Sequence, residues 1–511
     1  MGQELNAAAM LTSDFASLSD LIRAHAVERP DKPAMVCEDR SISYAALDVM
    51  LDRIAAALQR EGLGKSQAVA ILAATSIDYG CAFLGTLRAG GVPAPLQPSA
   101  TPAQLAAMIA DCGAPVLFLD AIGAKALGDA ATTVQRVALD GSDAGTPLAE
   151  FLAPEGSKPA PVAVTPDDPF NIIYSSGTTG VPKGIVQPQS MRWLHIARAP
   201  GGFGSAVTMV ATPLYSNTTL VSFIPTIAWG GTAVLLGKFD ARAFVSQAAK
   251  HRATHAMLVP VQYQRIMALP DFDSFDLSSF AFKTCTSAPF SPALKADILA
   301  RWPGLLVEYY GMTEGGGTTV LICNAHPTKL HTVGVPLPGQ DIRLIDEAGN
   351  EVPRGEMGEV VGRSGAMMSG YHGRADATRD ATWHDSDGNR FIRHGDVGRF
   401  DEDGFLILMD RKKDLIISGG FNIYPSDLEG VLIEHPGITD CAVIGIPSEQ
   451  WGETPLGFFT GPADPAEALA WFNDRVGKTQ RLADLRKVDE LPRSAIGKVL
   501  KRELRDRYLA A

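Results

Sequence analysis

The sequence predicts a multi-domain α/β protein, and three observations carry that reading. A chain of 511 residues exceeds what one hydrophobic core ordinarily serves, so two or three structural units are expected. Short apolar runs alternate with helical patterns over the first 330 residues, which implies right-handed βαβ units and largely parallel sheets. The texture then changes to hairpin-like sequence from about 333, and changes again where a charged cluster opens residues 411–511.

Taken in order, "MGQELNAAAMLTSDFASLSDL" carries early acids and no basic segment before an apolar core, so it does not read as a secretory signal. "VAIL" (69–72), "VPAPL" (92–96) and "APVLFL" (114–119) read as strands, with "PAQLAAMIADC" as an intervening helix. Phe170, Ile172 and Ile173 predict a buried strand ending near Tyr174. "TMVATP" (208–213), "TAVLLG" (232–237), "HAMLVP" (255–260) and "LLVEYYG" (305–311) repeat the strand rhythm. Residues 199–237 hold no charged side chain, yet prolines, a Gly-Gly pair and "YSNTT" interrupt them before any 18-residue apolar run forms. That pattern predicts a buried region of a large enzyme and no integral membrane contact. "IRLIDEAGNEVPRGEMGEVVGR" (342–363) reads as hairpins, and the residues after "DRKKDLIISGG" as a small α+β domain.

Hydrophobic residues make up 46% of the chain and charged ones 20%, as in globular proteins. A formal net charge of −12 argues against a nucleic-acid partner. The basic stretch "GKVLKRELRDRY" reads as a solvated helix face. Six scattered cysteines without a CxxC pair fit reduced thiols in a cytoplasmic protein, with neither a disulfide framework nor a zinc site.

"YSSGTTGVPKG" (174–184) concentrates glycines, hydroxyls and one cation just after the predicted strand. Gly177, Gly180 and Gly184 allow close backbone approach to a ligand. Successive N–H groups can form an anion nest, and Ser175, Ser176, Thr178 and Thr179 add neutral donors. With Lys183 the ensemble suits a polyphosphate, although its spacing is not that of a Walker A loop. A solvated Gly/Ser/Thr turn is the alternative for such composition. In "EYYGMTEGG" (308–316) an aromatic pair can stack on a base and Glu314 can hold Mg²⁺, or the stretch is an ordinary exit from a strand. Asp396, in "HGDVGRFDEDGFL", can take ribose hydroxyls or stabilise a turn. Lys498 follows a flexible glycine near the terminus.

Together, "YSSGTTGVPKG", "YGMTE", "GDVGRFDEDG", "DRKKDLIISGG" and "GK" before a terminal basic helix resemble the adenylate-forming superfamily of acyl- and aryl-CoA synthetases, luciferases and peptide-synthetase adenylation domains. The resemblance runs from "RPDKPAMVCEDRSISYAALD" to "SAIGKVLKREL". It implies an N-terminal AMP-binding domain over 1–410, made of parallel sheets flanked by helices plus a β-rich subdomain. It also implies a small mobile α+β lid over 411–511, hinged at Lys413.

By that resemblance Ser175, Ser176, Gly177, Thr178, Thr179, Gly180 and Lys183 embrace the ATP phosphates, and Thr178 and Lys183 join Glu314 and Lys498 as the catalytic set. Ser287, Ala288 and Pro289 of "TSAPF", with Tyr310, Gly311 and Met312, frame the adenine. Thr313 reaches the phosphates, Glu314 holds Mg²⁺, and Asp396 and Arg411 bind ribose. Lys498 bridges the substrate carboxylate and the α-phosphate, while Gly419 and Gly420 line the pantetheine tunnel. Tyr215, Ser216, Asn217, Val259, Tyr263, Ala288 and Gly311 are the candidates for the acid pocket.

Three positions depart from the family's wording. His394 precedes the Gly-Asp pair, "TSAPF" replaces a Gly-Ala-rich turn with only backbone consequences expected, and Ser216 stands where relatives place a histidine or a bulky aromatic. The resemblance implies that carboxylic acid, ATP and CoA yield acyl-CoA, AMP and pyrophosphate, with Mg²⁺ as cofactor. The uncharged run 199–237, and the absence of a basic residue in "TPLYSNTT", point to an apolar fatty or aromatic acid. The alternatives are an enzyme that loads a carrier-protein pantetheine and a non-catalytic nucleotide-binding regulator. Self-association as a homodimer is compatible with each.

Overall fold

The apolar runs at 208, 232 and 255 become parallel strands of one sheet because each is largely buried and followed by a covering helix, and the run at 305 joins them as a further parallel strand. In the computed structural model the hydrogen-bonded order is Pro33–Cys37, Thr232–Leu235, Val207–Val210, His255–Leu258, Phe282–Cys285 and Leu305–Tyr310, all parallel. Arg40–Ser43 and Thr319–Ile322 flank them as antiparallel strands. The structure describes residues 6–509 except 131–132, 176–182, 198–202, 412–413, 419–420, 449–450, 478–479 and 495–496.

Phe282–Cys285 carries Lys283, a cation that breaks the apolar pattern and conceals the strand from sequence reading. Its side chain is fully buried, and Nζ donates to the carbonyls of Trp302 at 3.2 Å, Pro303 and Gly304 at 2.9 Å. Burial lowers its pKa to about 7.

A second, all-parallel sheet is ordered Val92–Pro95, Ala68–Leu72, Val116–Leu119, Gln135–Ala138 and Thr146–Pro147. A third, antiparallel sheet sets Lys183–Pro188 between Pro169–Ser175 and Gly370–Tyr371. The uncharged run supplies helix Asn217–Ala228, whose Leu220, Phe223, Ile224 and Ile227 are fully buried in the main apolar core. No described helix is long and apolar enough to cross a membrane.

The chain divides into two compact units. The first is Met1–Leu330 with Pro336–Asp341 and Arg363–Ile392; the second is His331–Val335 with Ile342–Gly362 and Arg393–Ala511. The second contains the expected hairpins, among them Leu406–Arg411 antiparallel to Arg390–Phe400 through the register Asp396↔Arg411 to Phe400↔Leu406. Its C-terminal sheet is ordered Phe421–Ile423, Ile416–Ser418, Gly452–Thr460 and Asp440–Ser448, with Asp484–Lys487 parallel to Gly452–Thr460. Two apolar clusters, one around Leu432, Val443, Phe459 and Phe472 and one around Ile444, Leu456 and Leu504, form cores within residues 416–509.

Strand Leu305–Tyr310, which ends at a candidate adenine-facing residue, is anchored by a buried ion pair. Lys295 Nζ lies 2.5 Å from Glu308 Oε2, and both side chains are almost wholly enclosed. Burial pushes the Glu308 carboxyl up, and Lys295 opposes it. Lys295→Met leaves that carboxylate without its cation, so we expect a loss of about 3–5 kcal/mol. The check is the shift of the unfolding midpoint in urea; a midpoint unchanged from the parent chain contradicts the anchoring role.

Candidate active site

Successive side chains of a strand alternate between faces, so Lys183, Ile185 and Gln187 share one face of Lys183–Pro188. The first places its ammonium Nζ 5.2 Å from the centroid of the Tyr371 ring, a cation–π distance. The Tyr371 hydroxyl donates to Glu314 Oε1 at 2.8 Å. One aromatic ring thus joins the cation of the glycine loop to the carboxylate of "YGMTE". Burial, then the neighbouring Glu314 carboxylate, raises the Tyr371 pKa, so the phenol stays a donor across the working pH range.

Glu314 is 9% exposed, and its backbone carbonyl accepts from Met368 N at 2.8 Å. The next residue has to be glycine. Gly315 sits at φ 75°, and a Cβ there would lie 2.0 Å from the Ala366 carbonyl oxygen. Met368, with Ile185 and Ile392, forms a small buried cluster against which Met312 and Tyr371 pack.

Gln187, at the far end of the same strand face, is fully buried. Its Nε2 donates to Thr313 O at 2.7 Å and to Asn217 Oδ1 at 3.2 Å. Arg192, on helix Gln189–Ala197, donates through Nη2 to Asn217 Oδ1 at 2.9 Å and to Gln187 Oε1, and through Nε to Asn171 Oδ1 at 3.0 Å. Two predicted residues, Asn217 and Thr313, are therefore tied together by three that sequence reading missed: Asn171, Gln187 and Arg192. The available signal was the amide side chains standing inside the otherwise apolar "FNII" and "GIVQP".

Ser216 caps helix Asn217–Ala228, its hydroxyl accepting from Thr218 N at 3.3 Å. Thr218 in turn shares a 2.6 Å hydrogen bond with Ser287. Ser287 has φ 80°, a conformation that suits glycine, so the "TSAPF" turn stores backbone strain. Only a backbone consequence was expected there; the side-chain bond to helix Asn217–Ala228 is an addition. Ala288 is half-buried and Pro289 exposed.

Tyr310 and Thr313 are half-buried at the end of Leu305–Tyr310 and just beyond it, as is Met312, with Gly311 exposed between. Tyr215 is half-buried, and burial raises its pKa to about 12. Val259 and Tyr263 are enclosed by protein. The Tyr263 hydroxyl donates to Thr284 O at 3.0 Å and its ring stacks on Phe290 at 5.5 Å.

In the second unit Asp396 and Arg411, the two residues given to ribose, are direct cross-strand partners. Lys498 lies on a tight turn in which Ser494 N donates to Lys498 O at 2.8 Å and Gly497 takes φ 76°. Ser176, Gly177, Thr178, Thr179, Gly180, Lys413, Gly419 and Gly420 lie outside the described residues, as do the side chains of Ser175 and Arg411.

The pattern of the AMP-binding enzyme family matches residues 22–372, and that of the AMP-binding enzyme C-terminal domain matches residues 427–498. A feruloyl-CoA synthase of Amycolatopsis sp. is 34% identical, with 92% of this chain and 94% of the relative covered. The fatty acid–[acyl-carrier-protein] ligase ScoC of Streptomyces coeruleorubidus is 31% identical, with 95% of each chain covered. Among solved structures, ATP-bound MatB from Rhodopseudomonas palustris superimposes with a TM-score of 0.84 at 29% identity, covering 96% of this chain and 99% of that one. With both segments matched and relatives above 30% identity covered nearly end to end, the chain belongs to the AMP-binding enzyme family and is an AMP-forming acid–thiol ligase.

Proposed function

We propose that this ligase activates an apolar fatty or aromatic carboxylic acid as its acyl-adenylate and passes the acyl group to CoA. The observation that carries the reading is the Lys183–Tyr371–Glu314 arrangement, in which a cation and a carboxylate flank one ring beside the glycine loop. In the first step a carboxylate oxygen attacks the α-phosphorus of ATP, and the bond to the bridging oxygen of pyrophosphate breaks. Negative charge grows on the phosphoryl oxygens, so cations held in place before reaction stabilise the transition state. Lys183 and Lys498 are assigned that task. Ser175, Ser176, Gly177, Thr178, Thr179, Gly180 and Thr313 are assigned the phosphates. Ser287, Ala288, Pro289, Tyr310, Gly311 and Met312 are assigned the adenine, and Asp396 and Arg411 the ribose.

Glu314 is the residue that would hold Mg²⁺. A single carboxylate beside a phosphate loop is a donor set that suits this ion, whose shell phosphates and water complete. Among the described residues no cluster of three or more His, Cys, Asp or Glu competes as a cage. Bound there, Mg²⁺ supplies neutralisation of the leaving pyrophosphate.

In the second step the thiol sulfur attacks the acyl carbon, the thiol proton leaves, and AMP departs with the electrons of the broken acyl–oxygen bond. The domain boundary at 410/411, the hinge at Lys413 and the glycine pair Gly419–Gly420 are part of this proposal. Alternation of a lid would let one site run both steps. Transfer to a carrier-protein pantetheine is the second reading, favoured by the relative named as a carrier-protein ligase. Consumption of pre-formed acyl-AMP with CoA, compared with a phosphopantetheinylated carrier, separates the two.

Lys498→Ala should lower acid-dependent pyrophosphate release by about 10²–10³-fold, while thioester formation from supplied acyl-AMP stays within a few-fold of the parent. Equal losses in both half-reactions contradict the assignment.

Tyr371→Phe keeps the ring facing Lys183 and removes only the hydrogen bond to Glu314. The concentration of Mg²⁺ needed for half-maximal pyrophosphate release should rise about tenfold, the size of one hydrogen bond to a charged group. An unchanged Mg²⁺ dependence removes Tyr371 from the support of the metal role, and an unchanged dependence in Glu314→Gln removes Glu314 from it.

Because Ser216 is an N-cap, its pocket role is best tested by Ser216→Asn, which keeps a capping oxygen and adds bulk. Across an acid-length series, kcat/KM should fall for bulky acids and hold for acetate. If instead Tyr215→Ala alone shifts the series, Tyr215 is the wall of the pocket.

A further inference from the structure

Arg192 is a buried cation that meets no anion among the described residues. Its side chain is 1% exposed, and among the described residues no carboxylate forms an ion pair with it. Its three acceptors, Asn171, Gln187 and Asn217, are all neutral amides, and Nη1 is enclosed without any hydrogen-bond partner among the described residues. A cation kept for packing alone would ordinarily be paired, since burying an unpaired charge is costly. Here the charge is stabilised by dipoles that leave it uncompensated. Burial lowers its pKa only to about 9, so the guanidinium remains protonated at neutral pH.

The place of this charge is specific. Arg192 Nη2 touches Asn217, the first residue of the twelve-residue helix Asn217–Ala228, whose N-terminus carries a partial positive charge of its own. Asn217 follows Ser216, the capping residue that stands on the acid side of the candidate site. The "TPLYSNTT" stretch itself holds no cation; one arrives from 25 positions earlier in the chain. Gln187 continues the network to the Thr313 carbonyl, so the acid-side helix and the phosphate-side turn are held by the same cluster.

We propose that Arg192 is a positioning residue that fixes Asn217 and gives the acid-binding end of the first unit a fixed positive charge, so that carboxylates are selected over neutral acyl compounds of the same shape. This rests on the acid-activating reading above. Arg192 acts through Asn217 and through its field, not by contact with the substrate, since its free nitrogen is enclosed.

The test compares two matched pairs, cinnamate with cinnamamide and octanoate with octanamide, whose members differ in charge and hardly in shape. Their dissociation constants are measured by calorimetry on the full chain in the presence of a non-hydrolysable ATP analogue. The parent should prefer carboxylate to amide. Arg192→Gln, which keeps donors and loses the charge, should reduce that preference about tenfold, the order expected of one charge in a partly screened interior. Arg192→Lys should retain most of it. Purely structural damage weakens acid and amide alike and leaves the ratio unchanged. Should Arg192→Gln fail to fold, Asn171→Asp places a carboxylate where Arg192 Nε already donates, outside the pocket candidates, neutralises the same charge and should reduce the ratio equally. An undiminished preference in whichever of these charge-neutralised proteins folds overturns the inference. If the parent binds neither acid, the substrate reading fails, and this inference fails with it. Parent binding with an unaltered ratio in the variants overturns the inference alone.

Discussion

The two-residue repeat of strand Lys183–Pro188 is the constraint on which the candidate site depends. Because side chains at alternate positions share a face, Lys183 and Gln187 leave the strand in one direction with Ile185 between them. Ile185 is fully buried, and the cluster it forms with Met368 and Ile392 also carries Met312 and Tyr371. Packing of that one isoleucine therefore sets the position of the ring that Lys183 faces and of the turn that Gln187 binds. A register slip of one residue would send both polar groups to the opposite face and dissolve the arrangement.

Buried charge is the second theme, and it is treated in three ways. Lys295 and Glu308 neutralise each other beneath strand Leu305–Tyr310. Lys283 is met by three carbonyl oxygens at the C-terminal end of helix Pro292–Arg301, an arrangement that replaces hydration with fixed dipoles. Arg192 is met by amides and keeps its charge. The first two hold the sheet together. The third leaves a field, and fixed charges and dipoles in a dry interior are what enzymes use to favour charge that develops during reaction.

The division into compact units also divides the proposed chemistry. Lys183, Thr313, Glu314 and Tyr371 belong to the first unit, and Asp396, Arg411 and Lys498 to the second. Within each unit the geometry is over-determined: a ring, a carboxylate and an ammonium in one, and a cross-strand register placing Asp396 opposite Arg411 in the other.

Much of this was legible in the chain itself. Apolar runs of four to six residues, spaced by helical patterns, determined the α/β class and the parallel strands, because strand and helix periods differ and only one packs in each segment. The glycine loop, the "YGMTE" turn and the terminal Gly-Lys determined the family, because each is a local motif whose chemistry needs those residues side by side. Strand Phe282–Cys285 was missed because Lys283 breaks its apolar pattern, and its burial is made tolerable by three carbonyls from residues 302–304 and the Trp302 ring. Tyr371 and Arg192 were missed because neither has a local signature. Their partners lie 57 and 25 positions away, at Glu314 and Asn217. The sequence by itself settled which chemistry the chain carries. The tertiary structure alone decided which side chains hold those groups in place, since a contact between distant positions exists only after the strands have paired and their faces have been chosen.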